Sequence, residues 1–356
     1  MGLVASTAFQ LSPAVQTRSF IVLGALATDD VDDDFLYQIL VALRSGLSKA
    51  QESNTMAIIS MLRCICKVIP AISDSRYVPS LFWLSVALLE SSHVAFYVEA
   101  TELLQATLQV LERQGVFERC SVHVYLLAAR ESFEEITCQL DEILQLSFHD
   151  SFSFSLASIL FKGLRHKSLR GAAESALRTL LQLVSAHEVV PEVNQRPSPE
   201  ALGYFIALLP VSTSMVTYHR LLEDSRVEIL VPASEDDERV PQITLASLGI
   251  ENGTMALLCA SFAGTILGTA QGNDAESEML YGLLANMSPS YPEVISLVYV
   301  SSLLSMSHPN MLSKLRYDAR SSQGHVRELL KRGYPPFRLS YLPSCSPRPR
   351  ACRNWH

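Results

Sequence analysis

The stretch YVEATELLQATLQVLERQG, residues 97–115, sets the reading of the whole chain. Tyr97, Ala100, Leu104, Leu108 and Leu111 recur every three or four residues, which places them on one face of an α-helix. Glu99, Glu102, Gln105, Gln109 and Glu112 fall away from that face, so the segment predicts a rod with one dry side and one wet side. Gly115 follows as a stop, since glycine takes the left-handed cap conformation without a Cβ penalty. A helix of this length gains its stability from covering its apolar stripe, so the flanking segments must supply the cover.

They carry the same period. Ala173, Leu177, Leu180 and Val184 form a second stripe, with the i,i+4 pair Glu174 and Arg178 expected on its wet side. With these two, helices are expected near Pro13–Ala27, Asp33–Lys49, Thr55–Ile72, Val78–Ser91, Val94–Gln114, Val122–Arg130, Phe133–Leu146, Phe152–Arg165, Leu169–Glu188, Pro199–Leu209 and Thr213–Glu223. Beyond a break come Thr254–Thr269, Ala275–Met287, Pro292–Ser307 and a short piece at Asn310–Tyr317. Ser132 with Glu135, and Ser290 with Glu293, have the spacing of capping boxes, and Ser198-Pro199 places a cap before a first-turn proline. Only Val227–Val231 reads as extended, and no strand–helix–strand alternation occurs.

Composition agrees with a folded, lightly charged body. Of 356 residues, 48% are hydrophobic, 18% charged and 8% aromatic, too apolar for a disordered chain. The net charge of −8 argues against nucleic acid as the partner of the whole chain. From Ser313 onward ten Lys/Arg face two Asp/Glu, so this tail carries +8 and the body about −16. Seven widely spaced cysteines (Cys64, Cys66, Cys120, Cys138, Cys259, Cys345 and Cys352) fit a reducing compartment, the first five as small core residues in helices.

The first residues lack a basic start and a long apolar run, so no secretory signal is read there. Gly2 and Ser6 match the myristoylation spacing without a second membrane signal. Asn252–Asn273 has no charged residue but is diluted by glycines and hydroxyls, and its apolar core, Met255–Leu267, has the length of a buried helix.

Helices of 12 to 20 residues in succession give a repeat of roughly 40 residues, the period of HEAT and armadillo arrays. Leu81–Leu89 and Met255–Leu267 are apolar on most faces and need neighbours on more than one side, which stacking provides. The expectation is therefore an all-α solenoid of stacked helix pairs. Residues 1–224 form the first block of repeats, 225–252 an acidic, polar loop and 253–318 further repeats. Residues 319–356 form a basic, proline-rich tail, read as disordered because Pro335, Pro336, Pro343, Pro347 and Pro349 exclude regular helix.

Motifs that carry chemistry resolve into structural readings. Asp29-Asp30-Val31-Asp32-Asp33-Asp34 lacks the glycine and terminal glutamate of a calcium loop, and Asp32 or Asp33 is expected to cap the next helix. Cys64 and Cys66 point about 200° apart on a helix and cannot share a zinc ion. No phosphate loop, nucleophile elbow, dinucleotide fingerprint or zincin histidine pair is present. Lys162, Arg165, His166, Lys167 and Arg170 form a basic knot at a helix-to-helix turn. Its functional reading is a docking point for an acidic partner or a lipid headgroup; its structural reading is cations at a helix C-terminus, where the dipole favours them. Trp83 is expected to pack between helices, and Asn252-Gly253-Thr254 and Asn286-Met287-Ser288 are glycosylation sequons in form only. No catalytic, cofactor-binding or metal-binding residue is assigned.

Four blocks in this order resemble the C-terminal region of neurofibromin and its fungal relatives, the inhibitory Ras regulators. They are Ser12–Arg18 leading to Val22-Leu23-Gly24, Leu81–Ala87, Phe152–Leu156 running into Ile159–His166, and Met279–Tyr281 through Tyr291–Val294. The resemblance covers roughly Leu3 to Met311 and rests on packing motifs. It implies an α-solenoid flank of a Ras GTPase-activating protein, in a family that can dimerise through such arms. The arginine finger and Phe-Leu-Arg motif of that family's activating module match no segment here, so no catalytic residue is carried over. The chain reads as a piece of a longer or misjoined product, because the resemblance starts beside Met1 and fades after Met311. The functional expectation is a non-catalytic, cytoplasmic scaffold, at most peripheral at membranes, with protein partners, self-association or Ras-pathway components. The rival expectation is a general HEAT-repeat adaptor in transport or trafficking.

Overall fold

The computed structural model describes residues 8–9, 12–26, 31–49, 54–72, 75–91, 93–130, 148–187, 197–227 and 253–269, with positions 248, 250, 279, 280, 283, 284, 287 and 291. The chain divides into two units, Met1–Ser307 and His308–His356, and every described residue lies in the first. The described residues form eleven α-helices and no strand. In order they are α1 Pro13–Leu26, α2 Asp33–Ser48, α3 Thr55–Val68, α4 Val78–Glu90, α5 Tyr97–Arg113 and α6 Val122–Ala128. Then come α7 Phe148–Leu164, α8 Arg170–Ala186, α9 Leu202–Leu208, α10 Met215–Asp224 and α11 Gly253–Thr269. No helix among the described residues is long and apolar enough to cross a membrane.

The helices stack in two layers. In one layer α3 packs on α5, α5 on α8 and α8 on α10; in the other α4 packs on α7, α7 on α9 and α9 on α11. The layers join through α4 on α5, α7 on α8 and α8 on α9, while α1 and α2 lie on α3 and α6 lies on α7. This is the expected α-solenoid. Helix α5 shows why: Ala100, Leu103, Leu104, Leu108 and Leu111 are all buried, and Gly115 turns the chain with φ +64. Asp32 caps α2 by accepting from the Phe35 amide at 2.9 Å, one of the two acids expected there.

Local boundaries follow tertiary contact. Helix α7 begins at Phe148 rather than Phe152, bending at Ser151 (φ −147, ψ 48). Phe148 reaches back to stack edge-on with Trp83 at 5.3 Å, which holds the extra turn in place. The ends of three expected helices tighten into 3₁₀ turns at Ile69–Ala71, Val94–Phe96 and Pro199–Ala201. A capping box at Ser214 and Thr217 opens α10. The helices expected at 133–146, 292–307 and 310–317, both expected capping boxes, most of 228–252 and the tail at 319–356 lie outside the described residues, as does most of 275–287.

Three expectations need correction. Glu99 is buried at 4% exposure, not wet, because Arg63 of α3 donates to its carboxylate at 2.7 Å. Arg178 pairs with Glu174 at 3.0 Å as expected, but it too is buried and also holds Asp224 of α10. Cys120 lies in the turn before α6, half-buried, and is no helical core residue.

Close approach of helices, both within a layer and between layers, depends on absent side chains. A Cβ on Gly203 of α9 would sit 2.5 Å from the Ser153 backbone of α7, and one on Gly163 would sit 2.1 Å from the Tyr97 hydroxyl. That hydroxyl donates to the Leu160 carbonyl at 2.9 Å, tying α5 to α7. Four buried hydroxyls satisfy themselves within their own helices: Ser60, Ser85, Thr101 and Thr107 each donate to a carbonyl three residues back.

Gly203→Ala is expected to destabilise the chain by about 3 kcal/mol, because the opposing atoms are backbone and cannot rotate away. Gly171→Ala, whose Cβ would meet nothing within 4 Å, should be neutral or stabilise by up to about 0.5 kcal/mol. Urea unfolding of both variants checks the contrast; equal midpoints would refute the close α7–α9 contact.

Candidate interaction surface

Helix α1 has two apolar faces. Phe20, Leu23 and Gly24 point into the core against α3, while Ala14, Val15, Ile21, Val22, Ala25 and Leu26 lie exposed on the other side. These exposed positions repeat at helical spacing and are interrupted only by Arg18, so they make one outward stripe. Ile21 is 55% exposed, and Tyr37 and Val41 of α2 and Met56 of α3 add further exposed apolar side chains. Apolar area concentrated this way on a helix surface marks an interaction site more often than scattered exposed residues do.

A second surface is polar. An open groove of about 540 Å³ crosses the C-terminal ends of α5, α8 and α10, where Gln109, Glu112, Gln182, Glu223, Asp224 and Arg226 line it. Asp224 is committed: Arg178 donates to one carboxylate oxygen and Gln182 Nε2 donates to the other at 2.7 Å. Glu112 faces His187 across 3.6 Å. The groove thus offers hydrogen-bonding groups and carboxylates.

Other chemically suggestive residues fall into packing roles. Trp83 is buried, as expected, and donates Nε1–H to the Leu126 carbonyl at 2.9 Å, while Arg130 lies over its ring at 5.3 Å. Cys64, Cys66, Cys120 and Cys259 are free thiols. Burial pushes the thiols of Cys64, Cys66 and Cys259 up from 9.0 to about 12, so they stay protonated and poorly nucleophilic at neutral pH. Among the described residues no group of three or more His, Cys, Asp or Glu could hold a metal ion. His123 Nδ1 stands 2.7 Å from Glu200, and Ser121 Oγ stands 3.4 Å from the same nitrogen, so the three do not form a relay through both ring nitrogens.

The basic knot is divided. Lys162, in the last turn of α7, pairs with Glu90 of α4. Arg165 donates to the Ile266 carbonyl of α11 at 2.7 Å, and His166, Lys167 and Arg170 are exposed around the α7–α8 turn. Lys162 in the last turn of α7, with Arg165 and His166 directly after its end, fits the expectation of cations at a helix C-terminus, whereas Arg170 begins α8 and does not. Nothing in the sequence separated these roles, because the turn between two helices puts both ends within a few residues.

Tyr204 is a residue the sequence did not single out. Its hydroxyl is buried within α9 and has no hydrogen-bond partner, and burial raises its ionisation well above the ordinary tyrosine range. No family model matches the chain.

Tyr204→Phe is expected to be neutral or to raise stability by about 1 kcal/mol, because it removes an unsatisfied buried hydroxyl. Asp224→Ala should cost about 3 kcal/mol, because buried Arg178 loses the carboxylate of α10 and keeps only its pair with Glu174, while Gln182 loses its acceptor. Raised thiols stabilise the fold fully below pH 9.0, the ordinary value, and this contribution fades as pH climbs from there toward 12. Chemical denaturation at pH 8 and pH 10 should show that loss, and iodoacetamide at pH 8 should label Cys64 and Cys259 far more slowly in native than in urea-unfolded chain. Equal labelling rates would contradict their burial.

Proposed function

We propose that this chain is a non-catalytic α-solenoid scaffold of a neurofibromin-like negative regulator of Ras, serving dimerisation or partner docking in the cytoplasm. The outward apolar stripe of α1 carries the reading. The layers cover the stripes of α3, α5, α7 and α8 with one another, whereas α1 leaves Val15, Ile21, Val22 and Leu26 in solvent. A second protein surface laid on that stripe would remove it from water at about 25 cal/mol per Å². The free thiols support a reducing compartment. Resemblance to the Ras-regulator family supplies the pathway, and the four matching blocks include residues of α1, α4 and α7.

The polar groove across α5, α8 and α10 favours a second reading, a general helical-repeat adaptor outside Ras signalling that takes a peptide there. The two differ in partner: Ras-pathway proteins should dominate affinity capture only under the first.

Purified chain is expected to leave the rate of GTP hydrolysis by Ras unchanged, and measured stimulation would defeat the non-catalytic reading. In sedimentation velocity the wild-type chain should self-associate with rising concentration. Replacing Ile21 and Val22 together by Glu should shift it toward monomer without loss of helical circular dichroism. A wild-type chain that stays monomeric throughout would remove dimerisation from the proposal.

A further inference from the structure

The turn joining α7 to α8 holds a serine in a setting that neither the scaffold reading nor the packing explains. Ser168 is exposed, as are Arg165, His166, Lys167 and Arg170 around it. Its hydroxyl oxygen lies 2.8 Å from His166 Nδ1, at the surface of the turn. In all 356 residues it is the one serine or threonine with an arginine three positions before it. Lys167 precedes it directly and Leu169 follows. A kinase with an acid-lined substrate groove discriminates among serines by this arrangement of upstream cations.

The receiving end matters as much as the acceptor. Ser168 stands one residue before Leu169, the N-cap of α8, a helix of 17 residues. Leu169 has no side-chain oxygen to offer the first-turn amides, and no acidic residue occupies that turn. Arg170 opens the helix instead, so cations sit at the positive end of the dipole, where they are disfavoured. Most helix starts are arranged the other way, with a serine, threonine or carboxylate at the cap.

We propose that Ser168 is a phosphorylation site for a protein kinase that selects arginine three residues upstream, and that the uncapped start of α8 receives the phosphate. The γ-phosphoryl group of ATP passes to Ser168 Oγ. The Oγ–P bond forms as the bond from phosphorus to the bridging oxygen breaks, ADP departs, and the hydroxyl proton goes to the kinase's catalytic aspartate. The product carries about two negative charges beside Arg165, Lys167 and Arg170 and at the positive pole of α8. It turns a cationic turn into a nearly neutral one and supplies the cap that the sequence withheld.

The test uses the full chain, ATP and the catalytic subunit of cyclic-AMP-dependent protein kinase, with sites mapped by mass spectrometry. Incorporation at Ser168 is expected, lost in Ser168→Ala and reduced at least tenfold in Arg165→Gln. If Arg165→Gln does not fold, a synthetic peptide spanning residues 161–172 reports the same dependence. The phosphorylated chain should melt about 1–3 °C higher than the unmodified one. That rise should shrink in 0.5 M KCl and in Lys167→Gln and Arg170→Gln. Failure of the folded chain to accept phosphate at Ser168 overturns the site. Modification with an unchanged or lowered melting temperature overturns the role of α8 as its receiver.

Discussion

Helix α7 has to be covered on nearly every side, and that requirement organises the fold. It meets α4, α6, α8, α9 and α11, and residues 151–157 along it are buried without interruption. A rod enclosed this way cannot present bulk in all directions, so small residues alternate with large ones. Ser153, Ser155 and Ala157 sit among Phe152, Phe154 and Leu156, and Gly163 leaves room for the Tyr97 ring. Neighbouring helices then come close enough for backbone to touch backbone at Gly203. Protein interiors pack at crystal-like density, so such notches are as much a part of the fold as the side chains that fill them.

Apolar burial is non-directional and does not by itself set how far one helix slides along another. Directional ties between distant parts of the chain do this. Arg63 holds Glu99, Lys162 holds Glu90, Arg178 holds Asp224, and Tyr97 and Arg165 reach backbone carbonyls of α7 and α11. Each of these bonds ties one helix or turn to another helix. The buried ones are sensitive to loss of a partner, because an isolated charge in the interior has no water to turn to. The exposed members contribute little energy and act mainly on register. Aromatic edges do similar work at the α4–α6–α7 junction, where Trp83, Phe148 and Phe152 meet within 5.3 to 6.3 Å.

Once the helices have covered one another, what remains for work is surface. The described residues present three distinct kinds: an apolar stripe on α1, a polar groove at the ends of α5, α8 and α10, and a cationic turn before α8. A stripe of Val, Ile and Leu suits another helix or a second solenoid, whereas the groove suits a chain with hydrogen bonds to make. The cationic turn differs from both, since its charge can be changed chemically.

Sequence periodicity alone determined that the chain is helical, where most helices start and stop, and which faces are dry. The signal is local: residues three and four apart share a face whatever surrounds them, so Ala100, Leu104 and Leu108 could be placed without knowing their neighbours. It also showed Gly115 as a stop and Asp32 as one of two candidate caps, since capping is decided within one turn. Tertiary structure alone decided the rest. Glu99 and Arg178 look like wet residues in any helical projection, and only the arrival of Arg63 and Asp224 from other helices makes their burial tolerable. Phe148 joined α7 because Trp83, far away in the chain, offered it a ring. The surfaces left over were illegible for the same reason: exposure is set by which neighbours come to rest on a face, and that depends on contacts across the chain that no local period encodes.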